Sequence, residues 1–404
     1  MNSSVLIISA VFPPEPIVSA KLSEDIANGL VEHDIKVVVL HPRATRPYGF
    51  KFNIIKKKAP LYEEVVLQTY VCPKSNVFGR LFESYSFGCK CRNYIQSHHL
   101  ELACIYINSW PLFSQALIVK AASKYGIPCI IHVQDIYPES FINKMPSRLL
   151  ATLFQKALLP IDKYILSHAD YIFAISANMK EYLVKTRNID STKISIIENW
   201  QNEDEFIAYH NKLQTKKEKR PLTFMYLGNN GPVAGVEFLI HCFVKADIQG
   251  VRLVIAGSGS RKVACMELAK IHSNIEIEFW DVPDGKVPEV QDQADVMLLP
   301  VKKGAAMSSI PSKLPAYMFS KKAILGSLDI ESDTARAILD AGCGIVVRPE
   351  NEEELVLAWK EMAQWSKDTM EQKGNNGFIY AMNRFSKKHN LPIITNIIKE
   401  ICIK

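Results

Sequence analysis

The chain has 404 residues, 48% of them hydrophobic and 22% charged, long enough for two domains of ordinary size, each with its own core. Its formal net charge of +6 fits plain solubility, or attraction to phosphates or to an anionic membrane face. No apolar run approaches the roughly 20 residues of a bilayer span, and Met1-Asn2-Ser3-Ser4-Val5 lacks the basic start of a signal peptide, so a soluble or peripheral cytosolic protein is expected.

Short β-branched runs recur between longer amphipathic stretches. In the first half they are Val5–Ser9, Ile35–Leu40, Cys104–Ile107, Pro128–His132 and Tyr171–Ile175. Continuous apolar runs bounded by helical patterns read as strands of a parallel sheet covered on both faces. Leu22, Ile26 and Leu30 give the segment Ala20–Glu32 helical spacing, which completes a βαβ unit. From Gln201 to Arg220 the chain turns polar and poorly periodic, and it reads as a linker or an exposed loop. The pattern then restarts with Leu222–Leu227, Arg252–Ala256, Ile275–Phe279, Asp295–Leu299, Lys322–Leu325 and Ile345–Val347. An α/β protein of two doubly wound domains facing across a cleft is expected. Its domains are 1–200 and 221–377, the linker is 201–220, and a helical tail at 378–404 packs back on the first domain.

Ligands of such sheets bind at the carboxyl ends of strands, so the exit loops carry the candidate chemistry. The first exit, Phe12-Pro13-Pro14-Glu15-Pro16, is no dinucleotide fingerprint; its prolines hold Glu15 near the cleft or simply make a rigid turn. His132-Val133-Gln134-Asp135-Ile136-Tyr137-Pro138-Glu139-Ser140 places an imidazole, an amide and two carboxylates in one connection. Gln134, Asp135, Tyr137 and Glu139 suit sugar hydroxyls and positive charge at an anomeric carbon, although Asp135 equally suits capping the next turn. His132 is secondary. Trp200, at the third exit, stacks on a sugar or wedges between domains.

In the second half, Gly228-Asn229-Asn230-Gly231 and Gly257-Ser258-Gly259 let the backbone approach a pyrophosphate or make ordinary tight turns. Ser309-Ile310-Pro311-Ser312-Lys313 leads into a helix whose start suits a phosphate, or is merely an exposed helix end. Together these three loops point to a nucleoside diphosphate. Nine cysteines, most in apolar runs, read as reduced thiols, and Cys89-Lys90-Cys91 has the wrong spacing for zinc. No metal site and no cofactor are expected, and no nucleic acid partner.

These motifs occur in the same order as in bacterial family 4 glycosyltransferases, which the chain resembles from about Val5 to Trp365, most closely in the O-antigen, colanic acid and capsule branch. The resemblance implies the GT-B fold and a metal-independent, retaining hexosyl- or N-acetylhexosaminyltransferase. Its donor is a nucleotide sugar, UDP-linked by expectation, and its acceptor a lipid-linked saccharide. It implies a donor site at Gly228–Gly231, Gly257–Gly259, Ser312 and Lys313. It implies catalytic roles for Asp135, Glu139 and Lys313, with Glu15, Gln134 and Tyr137 on the acceptor side. The chain departs from the family where paired glutamates usually stand, at Ser308 and Ala316. The usual arginine and lysine positions fall at Asn229 and in Pro232-Val233-Ala234, which leaves Lys313 as the surviving cation. These losses keep open a non-catalytic nucleotide-sugar-binding subunit, or a UDP-sugar epimerase of the same architecture. Finally, Phe78, Phe82, Tyr85 and Phe87 interleave with Lys74, Arg80, Lys90 and Arg92, and Lys56-Lys57-Lys58 adds a basic cluster. This pattern suits either an interfacial helix on anionic lipid or a core helix with a solvated basic rim.

Overall fold

A computed structural model describes residues 3–45, 58–72, 77–108, 111–142, 147–212, 220–272, 275–307 and 310–403. Lys56, Lys57, Lys74, Ser308 and Ser309 lie outside these residues. The chain forms two compact units, Met1–Asn199 with Asn390–Lys404, and Trp200–His389.

The first unit runs β1 (Ser4–Ile8), α1 (Val18–Glu32), β2 (Val37–Pro42), β3 (Lys58–Ala59), β4 (Tyr62–Leu67), α2 (Val77–His98), β5 (Leu102–Asn108), α3 (Leu112–Tyr125), β6 (Cys129–Val133), α4 (Glu139–Ile142), α5 (Arg148–Ser167), β7 (Tyr171–Ala174), α6 (Ala177–Arg187) and β8 (Ile194–Ile196). Among the described residues the strand order is β3-β4-β2-β1-β5-β6-β7-β8, with all neighbours parallel except β3 and β4. Order reverses beside β1, as in a doubly wound sheet. The central strands are buried on both faces because helices cover both. Leu6, Ile105, Ile131 and Ile172 form one apolar core with Phe87 of α2, Ile118 of α3 and Ile165 of α5. Helix caps follow local chemistry: Ser147 and Ser176 accept from the N–H groups of Leu150 and Met179, and α3 and α6 close on left-handed Gly126 and Asn188.

The second unit comprises α7 (Asp204–Lys212), β9 (Leu222–Leu227), α8 (Val236–Ala246), β10 (Val251–Ala256), α9 (Lys262–Lys270), β11 (Ile277–Trp280), α10 (Val287–Asp292), β12 (Val296–Pro300), α11 (Lys313–Phe319), β13 (Ala323–Ser327), α12 (Asp333–Asp340), β14 (Gly344–Val347), α13 (Glu352–Ala363), α14 (Lys367–Arg384) and the start of α15 (Lys387–Ile403). Its sheet is parallel with order β11-β10-β9-β12-β13-β14. Alternate residues of each strand serve opposite faces. Phe224 and Leu253 pack with Trp359 of α13, whereas Met225 and Val254 pack with Tyr317 and Phe319 of α11.

The polar stretch 201–220 is more than a connector. It contains α7, whose Phe206 is buried in the second unit's core, its ring centroid 5.8 Å from that of Phe319. Buried Glu203 accepts from the N–H of Lys387 at 2.9 Å and from the Ser386 hydroxyl at 2.7 Å, which caps α15. From Asn390 onward α15 belongs to the first unit, where a Cβ at Gly29 of α1 would meet Leu391 and Thr395 at 3.1–3.2 Å.

Candidate functional site

In the second unit the exits of β9, β10 and β11 border an open groove of about 630 Å³, lined by Gly228, Asn229 and Gly231, by Gly257, Ser258 and Gly259, and by Asp281 and Val282. Its first two walls are interlocked main chain. The Gly228 N–H bonds to Ala256 O at 3.0 Å, the Asn230 N–H to Ser258 O at 2.8 Å, and the Arg261 N–H to Asn230 O at 2.9 Å. Glycine is required at this approach. A Cβ on Gly257 would overlap the Gly228 carbonyl, and one on Gly259 would stand 2.6 Å from the Asn230 backbone, at φ values of +111° and +148°. The amides of Gly228 and Asn230 therefore serve loop-to-loop bonds, and Asn230 is fully buried. Gly228, Asn229 and Gly231 are the members of that turn that line the groove.

Lys313 reaches the Gly228 turn in a different way from that expected of a helix start. Helix α11 has seven residues and no side-chain cap at Ser312, which is exposed, so its dipole offers little. The lysine side chain instead lies across Gly228, where any Cβ would overlap its Cε, and its Nζ sits 5.1 Å from the centroid of the Tyr226 ring. One turn further along the same helix, the Tyr317 hydroxyl donates to Leu227 O at 2.8 Å and accepts from the Leu227 N–H at 3.2 Å. Helix α11 is thereby pinned to the exit of β9 and aims Lys313 over the turn. Neighbouring cations are paired: Lys262 with Asp281 at 2.7 Å and Arg261 with Glu237 at 2.6 Å. Among the described residues no carboxylate pairs with Lys313, and burial lowers its pKa below the ordinary lysine value. Tyr226, Asp281 and Val282 were not singled out from the sequence, although the strand-exit rule covers the last two.

In the first unit, the loop between β6 and α4 is held from behind. Asp135, Ile136 and Tyr137 line a small, partly open cavity of about 20 Å³ together with Gln115 and Asp162. Glu139 binds Arg187 through both carboxylate oxygens, at 2.7 and 2.8 Å, and accepts from the Tyr182 hydroxyl at 2.8 Å. Burial opposes its charge, but these bonds hold its pKa below the usual carboxylate range. Asp162 is pushed up to about 6 by burial against the pull of Arg187. Burial also pushes the Tyr137 hydroxyl up to about 12. Gln134 and Asp135 are half-buried. Glu15 is buried and turned inward, its Oε1 accepting from the Thr45 N–H at 2.6 Å, so the proline loop is tied to the segment that follows β2. His132 is fully buried with Nδ1 2.7 Å from the Tyr106 hydroxyl, and burial pushes it down to about 3, which keeps it neutral and structural. Trp200, the first residue of the second unit, is 4% exposed and has little ring surface open to a sugar. No group of three His, Cys, Asp or Glu side chains among the described residues has the arrangement of a metal site.

Two α/β units, each built on a largely parallel sheet, have the architecture of the GT-B fold. Comparison with known proteins supplies the class: "Glycosyltransferase Family 4" matches residues 20–205 and "Glycosyl transferases group 1" matches residues 221–364, so both halves of the chain carry glycosyltransferase domains and the protein is a glycosyltransferase. It is 21% identical over 290 residues to the probable glycosyltransferase WbjE of Pseudomonas aeruginosa, covering 67% of each chain. It is 27% identical over 210 residues to the O-antigen chain mannosyltransferase RfbU of Salmonella typhimurium, covering 47% of this chain and 52% of that one. Among solved structures it is similar to WaaG, a glycosyltransferase involved in lipopolysaccharide biosynthesis, with a TM-score of 0.66 at 14% identity over 98% of this chain and 99% of that one. It is also similar to Anabaena HepE in complex with UDP, with a TM-score of 0.65 at 13% identity over 98% of both chains.

Proposed function

We propose that the protein transfers a sugar, with retention, from a UDP-linked donor to a lipid-linked saccharide during assembly of a surface polysaccharide. The observation that carries this reading is Lys313, a desolvated cation with no carboxylate partner among the described residues, laid across the Gly228 turn beside the Gly257–Gly259 loop. The diphosphate lies along Asn229, Gly231, Ser258 and Gly259, with Ser312 at the approach. Negative charge grows on it as the glycosidic bond breaks, and Lys313 then binds it more strongly than in the ground state. The leaving phosphate takes the acceptor hydroxyl's proton on the same face. Asp135 supports positive charge at the anomeric carbon, and Gln134 and Tyr137 hold acceptor hydroxyls. Glu15 fixes the loop beside them.

The HepE complex supports a uridine nucleotide, and RfbU supports an O-antigen saccharide as acceptor. Released UDP is measured from UDP-sugars with and without lipid-linked saccharide, after a thermal-shift screen against UDP, GDP, TDP and CMP. Acceptor-dependent UDP release is expected. A shift with GDP alone would move the donor class, and no turnover with any donor would favour a binding subunit. Ala316, where the family usually has a glutamate, is the observation behind that second reading.

Attachment to the cytoplasmic membrane face belongs to the same proposal. Phe78, Phe82 and Tyr85 are 76%, 56% and 50% exposed along α2, with Arg80 and Arg92 on that helix, whereas Phe87 is buried in the core. No helix among the described residues is long and apolar enough to cross a membrane. Salt-sensitive flotation with anionic liposomes is expected, each basic residue adding about 1 kcal/mol near the surface. Absence of binding at low salt would remove this part of the reading.

A further inference from the structure

The cation that closes α6 does more than terminate a helix. Arg187 is 4% exposed, and its guanidinium is saturated. Nε donates to Asp162 Oδ2 at 2.7 Å. Nη1 donates to Glu139 Oε1 at 2.8 Å and to Thr186 Oγ1 at 3.0 Å. Nη2 donates to Glu139 Oε2 at 2.7 Å and to the Tyr137 carbonyl at 3.0 Å. Its plane also faces the Tyr182 ring, 5.7 Å from the centroid, and the Tyr182 hydroxyl donates to the same glutamate. One side chain thus binds a carboxylate on α4, a carboxylate on α5 and the main chain of the loop between β6 and α4.

Apolar contact holds only part of that loop: Ile136 and Tyr137 pack against the first unit's core, while Asp135, Ile136 and Tyr137 also line the small cavity shared with Asp162 and Gln115. A buried ion pair is also weak as a pure stabiliser, since apolar residues of similar volume often do as well. What a planar, multiply donating guanidinium adds is geometry: it sets the distance and angle between scaffold and loop.

We propose that Arg187 is a positioning residue for sugar transfer. It fixes the Gln134–Ser140 loop and through it the Asp135 carboxylate, and Glu139 is the handle by which the loop is gripped rather than a group that acts on the sugar. This rests on the reading of Asp135 as the carboxylate that acts at the anomeric carbon. Lysine carries the charge but not the fork, so Arg187→Lys separates geometry from electrostatics.

The test compares wild type, Arg187→Lys, Glu139→Gln, the double variant and Tyr182→Phe in acceptor-dependent UDP release, alongside UDP titration and melting temperature. Arg187→Lys is expected to lower kcat by roughly ten- to a hundredfold, the scale of an ångström-sized misplacement, with UDP affinity unchanged. Glu139→Gln is expected to lose a similar factor, and the double variant no more than the larger single loss. Tyr182→Phe, which removes one peripheral bond, keeps the question answerable if Arg187→Lys does not fold; a fall in kcat with unchanged UDP affinity is expected. Wild-type kcat in Arg187→Lys, or losses that multiply in the double variant, would overturn the proposal. A kcat loss matched by equal weakening of UDP binding would overturn it too. A wild-type enzyme that releases no UDP overturns the transfer reading instead.

Discussion

Lys313 is the residue on which the proposed donor site turns. Its position in Pro311-Ser312-Lys313-Leu314 was legible in the sequence, but the reason for its importance was not. A seven-residue helix contributes little field, and what desolvates the lysine is Tyr226 and Gly228, far away in the chain. A lowered pKa means that the unfolded state holds this proton to higher pH than the folded one. Folded stability from this group therefore rises with pH between the lowered value and the ordinary value of 10.5. UDP binding needs the charged form and takes up a proton in that window, so affinity should fall as pH rises there. Titrating UDP from neutral to alkaline pH, wild type should weaken earlier than Lys313→Met; parallel curves would contradict the assignment. Glu139 teaches the opposite lesson. As a sequence letter it matched a catalytic carboxylate, yet its oxygens face Arg187 and Tyr182, a pairing that no local spacing announces.

At the scale of elements, the apolar runs located the central strands because both faces of a parallel sheet are covered. Edges were less legible. In β4, Glu63 and Glu64 break the apolar run because its residues are only half-buried, and α7 shows one fully buried apolar residue, Phe206, in a polar stretch. The two glycine turns were legible as close approaches, but not the fact that they approach each other. Gly259→Ala should consequently destabilise the second unit by about 2–3 kcal/mol, through a strained φ and a backbone clash, and lower UDP affinity as well. Denaturant unfolding checks the first effect, and a stability within error of wild type would refute it. Glu203→Ala removes the carboxylate that caps α15 and should cost about 1–2 kcal/mol without altering UDP affinity. Faster amide hydrogen exchange in the first turn of α15 is the signature to seek.

Over the whole molecule, two units of similar design present different side chains at their strand exits. The first holds a carboxylate-bearing loop on a buried arginine, and the second holds a lysine over interlocked glycine turns. UDP should raise the apparent stability of the second unit by mass action and leave α2, α3 and α5 unprotected in hydrogen exchange. The central claim is that Lys313 stabilises the departing diphosphate. It is tested most directly by turnover of UDP-sugar in Lys313→Ala against wild type, with circular dichroism confirming the fold. Loss of one charge-assisted contact to the leaving group should slow release by about a hundredfold, or roughly 2–4 kcal/mol. Turnover within about twofold of wild type would contradict the account, because a lysine that merely lies solvated at a helix start has no rate to lose.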